Sequence, residues 1–253
     1  MAQKNKITII STFATDQLVS ENGFIIDKQN GGPAFYLNRA LKNEGVSFAM
    51  KTGPKMKVQI LITRKGEFGR VLKRPTQKGV RFSQIKTPLL LISSVLDEFD
   101  LMNLSTFKGR VFLDVQGYVR NGDDFGKKKF WKPNKEVFAN IFCLKGTKEE
   151  LQNMPKQYVE AQKQKLLLIT DGKLGCEIFA FGKRHTIKPS KIITSKNTIG
   201  AGDTFFAYFV LRYAKTAKVL DSAKYAVKKT SAFLSAQNKH HHNQLFLEEI
   251  GCG

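Results

Sequence analysis

The sequence predicts an α/β protein with a central, mostly parallel sheet, and three observations lead there. Three short, nearly continuous apolar runs, "LLLISSV" (89–95), "RVFLDVQG" (110–117) and "KLLLIT" (165–170), have the length and composition of strands buried on both faces. Runs of strand length alternate with segments of helical spacing, as in a parallel sheet joined by crossover helices. Early in the chain a glycine-containing turn separates two short apolar runs, which adds an antiparallel patch.

Taken in order, "ITIIST" (7–12) is the first strand, and "PAFYLNRALKNEG" (33–45) places its apolar residues at helical intervals. Short strands follow at "VSFAMK" (46–51), "KVQILIT" (57–63) and "RVLKR" (70–74). The turn at 65–69 joins the last two as a hairpin. Further helices are expected at 147–161, 204–215 and 219–237. No repeat or low-complexity linker divides the chain, so residues 1–253 read as a single domain.

A chain of 253 residues that is 42% hydrophobic, with 20 Phe, can bury a sizeable core. No apolar run reaches the roughly 20 residues of a membrane span. The N-terminal residues lead straight into a strand without the layout of a signal peptide, so a soluble cytoplasmic protein is expected. Cys143, Cys176 and Cys252 are odd in number and far apart, which suggests neither a disulfide framework nor a zinc ligand set. The formal charge of +21 favours polyanions. Its lysines are spread along the chain, which fits a solvated basic surface and anionic substrates better than dedicated nucleic-acid recognition.

In parallel α/β sheets, ligands sit beyond the carboxyl ends of the strands. That rule picks out "DVQGYVR" (114–120), "TDGKLG" (170–175) and "NTIGAGD" (197–203) as segments facing one crevice. Gly200, Ala201 and Gly202 allow a tight turn with exposed amides, and the helix that follows points its positive end at the same place. Together they form an anion hole, with Asp203 at or just inside the helix start. Taken alone, an aspartate in a Gly-Asp-Thr string reads first as an N-cap.

The longer string "NTIGAGDTFFAYF" (197–209) resembles the C-terminal signature of the ribokinase-like (PfkB) carbohydrate kinases. "NGGPAFYLNRAL" (30–41) is similar to that family's N-terminal Gly-Gly segment, and "ITDGKLGCEIF" (169–179) to its nucleotide-side strand and turn. "LDVQGYVR" (113–120) resembles the family's Asp-x-Asn-x-Arg-like segment, in the form of archaeal and inositol-kinase-like members. The matches run in family order over nearly the whole chain. The resemblance implies a three-layer ribokinase-like fold with a small β lid, here around residues 46–75. It implies a kinase using ATP with Mg2+, and a small hydroxyl-bearing acceptor: an inositol-like polyol, sugar, sugar phosphate or nucleoside.

By the same resemblance, Asp203 is the general base, and the backbone of Gly200, Ala201, Gly202 and Asp203 receives the migrating phosphoryl group. Asp16, Gly31 and Gly32 bind the acceptor, Tyr36 stands where many members carry Asn, and Thr170, Gly172 and Gly175 line the nucleotide pocket. Arg120 is a candidate for contact with phosphate or substrate, or for a surface ion pair. The resemblance also implies lids that pair between subunits, so a homodimer is an expectation.

Several features depart from the family pattern. After "VSFAMKTGP" (46–54) the chain runs directly into "KVQILIT", without the Gly-x-Asp segment and its helix. In the Asn-x-x-Glu region, "CLKGTKEEL" (143–151) lacks the Asn. Glu149 or Glu150 then takes the acid's place, with Glu149 the candidate for Mg2+ carried by ATP and Lys145 near enough to meet phosphate. "KHHH" (239–242) reads as a solvated loop rather than a metal site. "GDDFGKK" (122–128) is one residue short of a P-loop spacing. These departures and the basic charge keep a second expectation in view: a degenerate member that binds nucleotide or nucleic acid without transferring phosphate.

Overall fold

The computed structural model describes residues 6–63, 66–195 and 197–250, with the side chains of 62–63, 66–67 and 239–250 outside the description. The first half of the chain holds β1 (Ile7–Ser11), β2 (Ala14–Val19), β3 (Ile25–Gly31), α1 (Pro33–Asn43), β4 (Ala49–Thr52), β5 (Met56–Thr63), β6 (Gly66–Val71), β7 (Lys78–Gly79), β8 (Leu89–Ser93), β9 (Phe99–Asp100), β10 (Arg110–Asp114) and α2 (Gln116–Val119). The second half holds α3 (Lys135–Asn140), β11 (Ile141–Thr147), α4 (Lys148–Leu151), α5 (Lys156–Lys163), β12 (Leu166–Thr170), β13 (Cys176–Ala180), β14 (Lys183–Ile187), α6 (Ala201–Thr216) and α7 (Val219–Ile250).

The large sheet has the order β14-β13-β12-β11-β10-β8-β1-β4. It is parallel from β4 to β12 and ends in two antiparallel strands. Its strands are apolar on both sides because both faces are covered. Ile7, Ile9, Leu89 and Leu91 point into a core shared with α1, α6 and α7. Ile10, Leu90 and Ile92 point into a second core with Phe82, Phe138 and Tyr158. This is the expected three-layer α/β arrangement.

A second sheet, β3-β2-β5-β6, stands apart with its own small core of Leu18, Val58, Ile60 and Leu96. The segment 46–75 divides between the two sheets: Ala49–Thr52 pairs with β1 in the large sheet, and the small sheet instead recruits residues 14–31. β5 and β6 form the expected hairpin, but Gly66 to Gly69 already belong to β6. The connecting residues 64–65 lie outside the description. The helix expected over 147–161 is two helices: Gln152 caps the end of the first, and Pro155, which has no N–H to continue it, N-caps the second. "KHHH" continues the backbone of α7 rather than forming a loop, while its side chains lie outside the described residues. Cys143 and Cys176 are buried and unbonded, and Cys252 lies outside the description. Among the described residues, no helix is long and apolar enough to cross a membrane.

Candidate active site

Strands β8, β10, β11 and β12 end in Ser93, Asp114, Thr147 and Thr170, all on the side where α6 begins. Gly200 caps α6 with φ 79°, a left-handed conformation open to glycine, and a Cβ there would overlap the Tyr36 ring. The Ala201 amide is taken up internally by the Thr198 carbonyl at 3.0 Å. The expected hole therefore loses that donor. The Gly202 and Asp203 amides have no internal acceptor among the described residues, so the first turn of α6 still presents donors to the cavity.

Asp203 is the third residue of that helix and is buried, 9% exposed. Ser93 Oγ donates to its Oδ1 at 3.1 Å. Burial pushes its carboxyl up to about 6, with the Asp114 charge adding to the rise. Lys145, the Ser93 hydrogen bond and Arg120 oppose it. Lys145 Nζ lies 2.6 Å from Asp114 Oδ2, and both side chains are almost fully buried. Burial alone would lower the Lys145 ammonium, but Asp114, Glu150 and Asp203 outweigh it and hold it above the ordinary lysine value.

On the other side of the cavity, Asp16 is buried in β2. Gly31 pairs with Ala14 in the neighbouring strand, and a Cβ on Gly31 would overlap the Asp16 carboxylate. Gly32 has φ 76°, and its Cβ would stand 2.6 Å from both the Ala14 nitrogen and the Thr12 carbonyl oxygen. The Gly-Gly pair thus lets the start of α1 close against β2. Tyr36, on α1, packs edge-on to Phe233 of α7 and covers Gly200, so it joins the two sides.

One cavity of about 560 Å³ contains Asp16, Gly32, Tyr36, Arg120, Thr170, Gly172, Gly175 and Gly200 to Asp203 in its lining. Gly31 stands behind Asp16 rather than in the wall. Arg120 is no surface ion pair: its Nη1 donates to the Val95 carbonyl at 3.1 Å, and its guanidinium lies under the Phe125 ring, 4.2 Å from the centroid. Burial lowers its pKa against the pull of Glu150, Asp203, Asp114 and Glu98. Val58, Ile60, Phe68 and Phe125 give the small-sheet side an apolar wall.

The placement of Glu149 needs correction. It is exposed, pairs with Lys128 at 3.6 Å and takes no part in the cavity wall. Glu150 lines the cavity, but its Oε2 accepts the Thr147 amide at 2.8 Å while Thr147 Oγ1 accepts the Glu150 amide. This reciprocal capping box, Thr147-x-x-Glu150, occupies the spacing of the missing Asn-x-x-Glu. Among the described residues, no group of three or more His, Cys, Asp or Glu could hold a metal. Sequence reasoning missed Ser93 and Phe125, and it singled out Asp114 and Gln116 only as part of "DVQGYVR", without giving either a role. The available signal for Ser93 was a polar residue ending an otherwise apolar strand.

A three-layer sheet carrying a glycine-rich helix start beside a small second sheet is the ribokinase-like fold. Solved structures similar over most of the chain include a pyrophosphate-dependent kinase in the ribokinase family in complex with sulfate. It is 14% identical, with a TM-score of 0.70, and the match covers 90% of this chain and 95% of that one. A ribokinase from Arabidopsis thaliana complexed with ribose and ATP is 14% identical, with a TM-score of 0.65 and 92% of each chain covered. A nucleoside kinase from Methanocaldococcus jannaschii is 16% identical, with a TM-score of 0.63 and 92% of each chain covered. No curated protein sequence matches the chain. Residues 123–241 match the model of the pfkB family carbohydrate kinase, so the family resemblance carried by "NTIGAGDTFFAYF" holds. Fold and family match together support a sugar or polyol kinase in general terms.

Proposed function

We propose that this protein is an ATP-dependent phosphotransferase acting on a hydroxyl of a small polyol, sugar or nucleoside. The observation that carries this reading is the Asp203 carboxylate in the wall of the same cavity as the unused amides of α6, with the buried Asp16 in the opposite wall. The acceptor lies between Asp16, Gly32 and Asp203. Asp203 takes the proton of the attacking hydroxyl as the new oxygen–phosphorus bond forms and the bond to the ADP oxygen breaks. The Gly202 and Asp203 amides receive the charge on the migrating group.

The donor half fits a nucleotide. Val227 and Leu234 of α7 face the same cavity as Pro189 and Ile193, which gives a base apolar walls beside the hydroxyls of Thr230 and Ser231. Thr170, Gly172 and Gly175 line the phosphate path. The carboxylates present do not form a cage for Mg2+, so that ion enters on the ATP phosphates. The small sheet acts as a lid that excludes water when the acceptor is bound. The outer edge of β3, with Phe24, Ile25 and Ile26 exposed, is where a second copy would pair.

The test is a screen for ADP release across polyols, sugars and nucleosides. Turnover with one acceptor, and its loss in Asp203→Asn with ATP binding kept, is the expected result. The net charge of +21 favours one competing reading, a family member that binds nucleic acid without transferring phosphate. Steeply salt-dependent RNA binding with no ADP release from any acceptor would establish that alternative.

A further inference from the structure

Lys145 has a position that its ion pair alone does not explain. A buried lysine–aspartate pair contributes little to stability, and such pairs are readily replaced by apolar residues. Yet the Lys145 ammonium is set over the first turn of α6, where Nζ stands 3.1 Å from the place a Cβ of Gly202 would occupy. Asp114 and Asp203 hold the ammonium there, beside amides of the same helix turn that an anion would satisfy. Asp114 is the acceptor that Lys145 finds among the described residues, which leaves two of its three N–H donors for the cavity it lines. The neighbouring Gly202 and Asp203 amides also lack partners.

Resting on the phosphotransferase reading of this site, we propose that Lys145 is a further catalytic residue whose ammonium contacts the migrating phosphoryl group together with the amides of Gly202 and Asp203. Glu150 is tied to the Thr147 amide through one oxygen and Glu149 lies outside the cavity, while Lys145 brings a fixed positive charge to this point. Asp114 keeps the ammonium in place and charged between turnovers. Gly202 is the residue that leaves room for it.

The inference is tested with Lys145→Ala and, because removing one partner leaves Asp114 buried and unpaired, with the neutral double variant Lys145→Gln/Asp114→Asn. The first measurement is calorimetric binding of inorganic pyrophosphate in metal-free buffer. Wild type binds, and both variants lose about tenfold or more in affinity. The second is turnover. Lys145→Ala lowers kcat by about 10²–10³-fold, the loss seen when one charge-stabilising donor is removed. Propylammonium in the medium restores part of it. The acid limb of the Lys145→Ala profile moves to higher pH, because Lys145 opposes the rise of Asp203 while Asp114, Ser93 and Arg120 remain around it.

Folded variants that bind pyrophosphate as wild type does would overturn the proposal, as would a loss of turnover that no alkylammonium restores. If wild type releases no ADP with any acceptor, the phosphotransferase reading fails and pyrophosphate binding alone decides the role of Lys145. If wild type and both variants turn over alike, only the role of Lys145 falls.

Discussion

In the large sheet, β8 is buried at every residue, whereas in the small sheet β3 is exposed along nearly its whole length. The large sheet is held between two cores and supplies fixed residues at or near its strand ends: Ser93, Asp114, Lys145 and Thr170. The small sheet packs on the body through a small core and supplies an apolar wall with, among the described residues, one buried carboxylate, Asp16. On the proposed reading, the more deeply packed sheet lies under the chemistry and the more thinly packed one over it, as enclosing an acceptor would require.

The largest effect should come from the rigid side. Asp203→Asn is expected to lower kcat by about 10²–10⁴-fold while ATP affinity, read by calorimetry, stays close to wild type. Near-normal phosphorylation by that variant would remove the base from the mechanism. Core truncation on the same side should be severe: Phe112, fully buried against Phe142 and Tyr213, should cost about 3–5 kcal/mol as Phe112→Ala in urea unfolding. Ile26→Thr on exposed β3 should stay within about 0.5 kcal/mol. Equal costs at the two positions would erase the distinction between the sheets.

At the seam, Gly31→Ala drives a methyl group into the Asp16 carboxylate. Misplacing that group should cut kcat/KM for the acceptor by about 10²-fold and leave ATP binding alone. A change confined to ATP would place Asp16 on the donor side instead. The smallest effect is one of pH. The Asp203 carboxyl rises from 3.8 to about 6 on folding, so between those values the native state holds a proton that the unfolded chain has lost. Its contribution to stability therefore declines as pH rises through 6, while turnover, which needs the carboxylate, increases. Asp203→Asn should raise Tm relative to wild type at pH 8 and flatten this part of the pH dependence. An unchanged Tm would mean that the carboxyl is less desolvated than its surroundings indicate.

The same contrast explains what could be read from the sequence. Runs such as "LLLIS" and "LLLIT" are apolar on both faces, and no other local structure accounts for them. β2 was hidden because its buried face reads Ala14, Asp16, Leu18, and a carboxylate interrupts the alternation that marks a strand. β3 was hidden because it has almost no buried face. Asp203 and the glycines around it were legible because the role proposed for them is carried by consecutive residues. Ser93 and Phe125 come from segments distant from the motifs, and only the folded chain sets them beside Asp203 and Arg120. Glu149 and Glu150 are adjacent, and which of them turns inward was decided by a capping box formed with Thr147.

One feature of the small sheet bears on how substrates enter. Its β6 edge is stitched to the loop after Arg120: the Val71 amide donates to Gly122 at 2.7 Å and the Phe125 amide donates to Gly69 at 2.6 Å. At the opposite margin β3 pairs with β2, and its outer edge has no further strand partner among the described residues. On the lid reading proposed above, the sheet is hung like a door, with its jamb at β6 and its free side at the outer edge of β3. Traffic in and out would then have the least to break on the side away from Phe125.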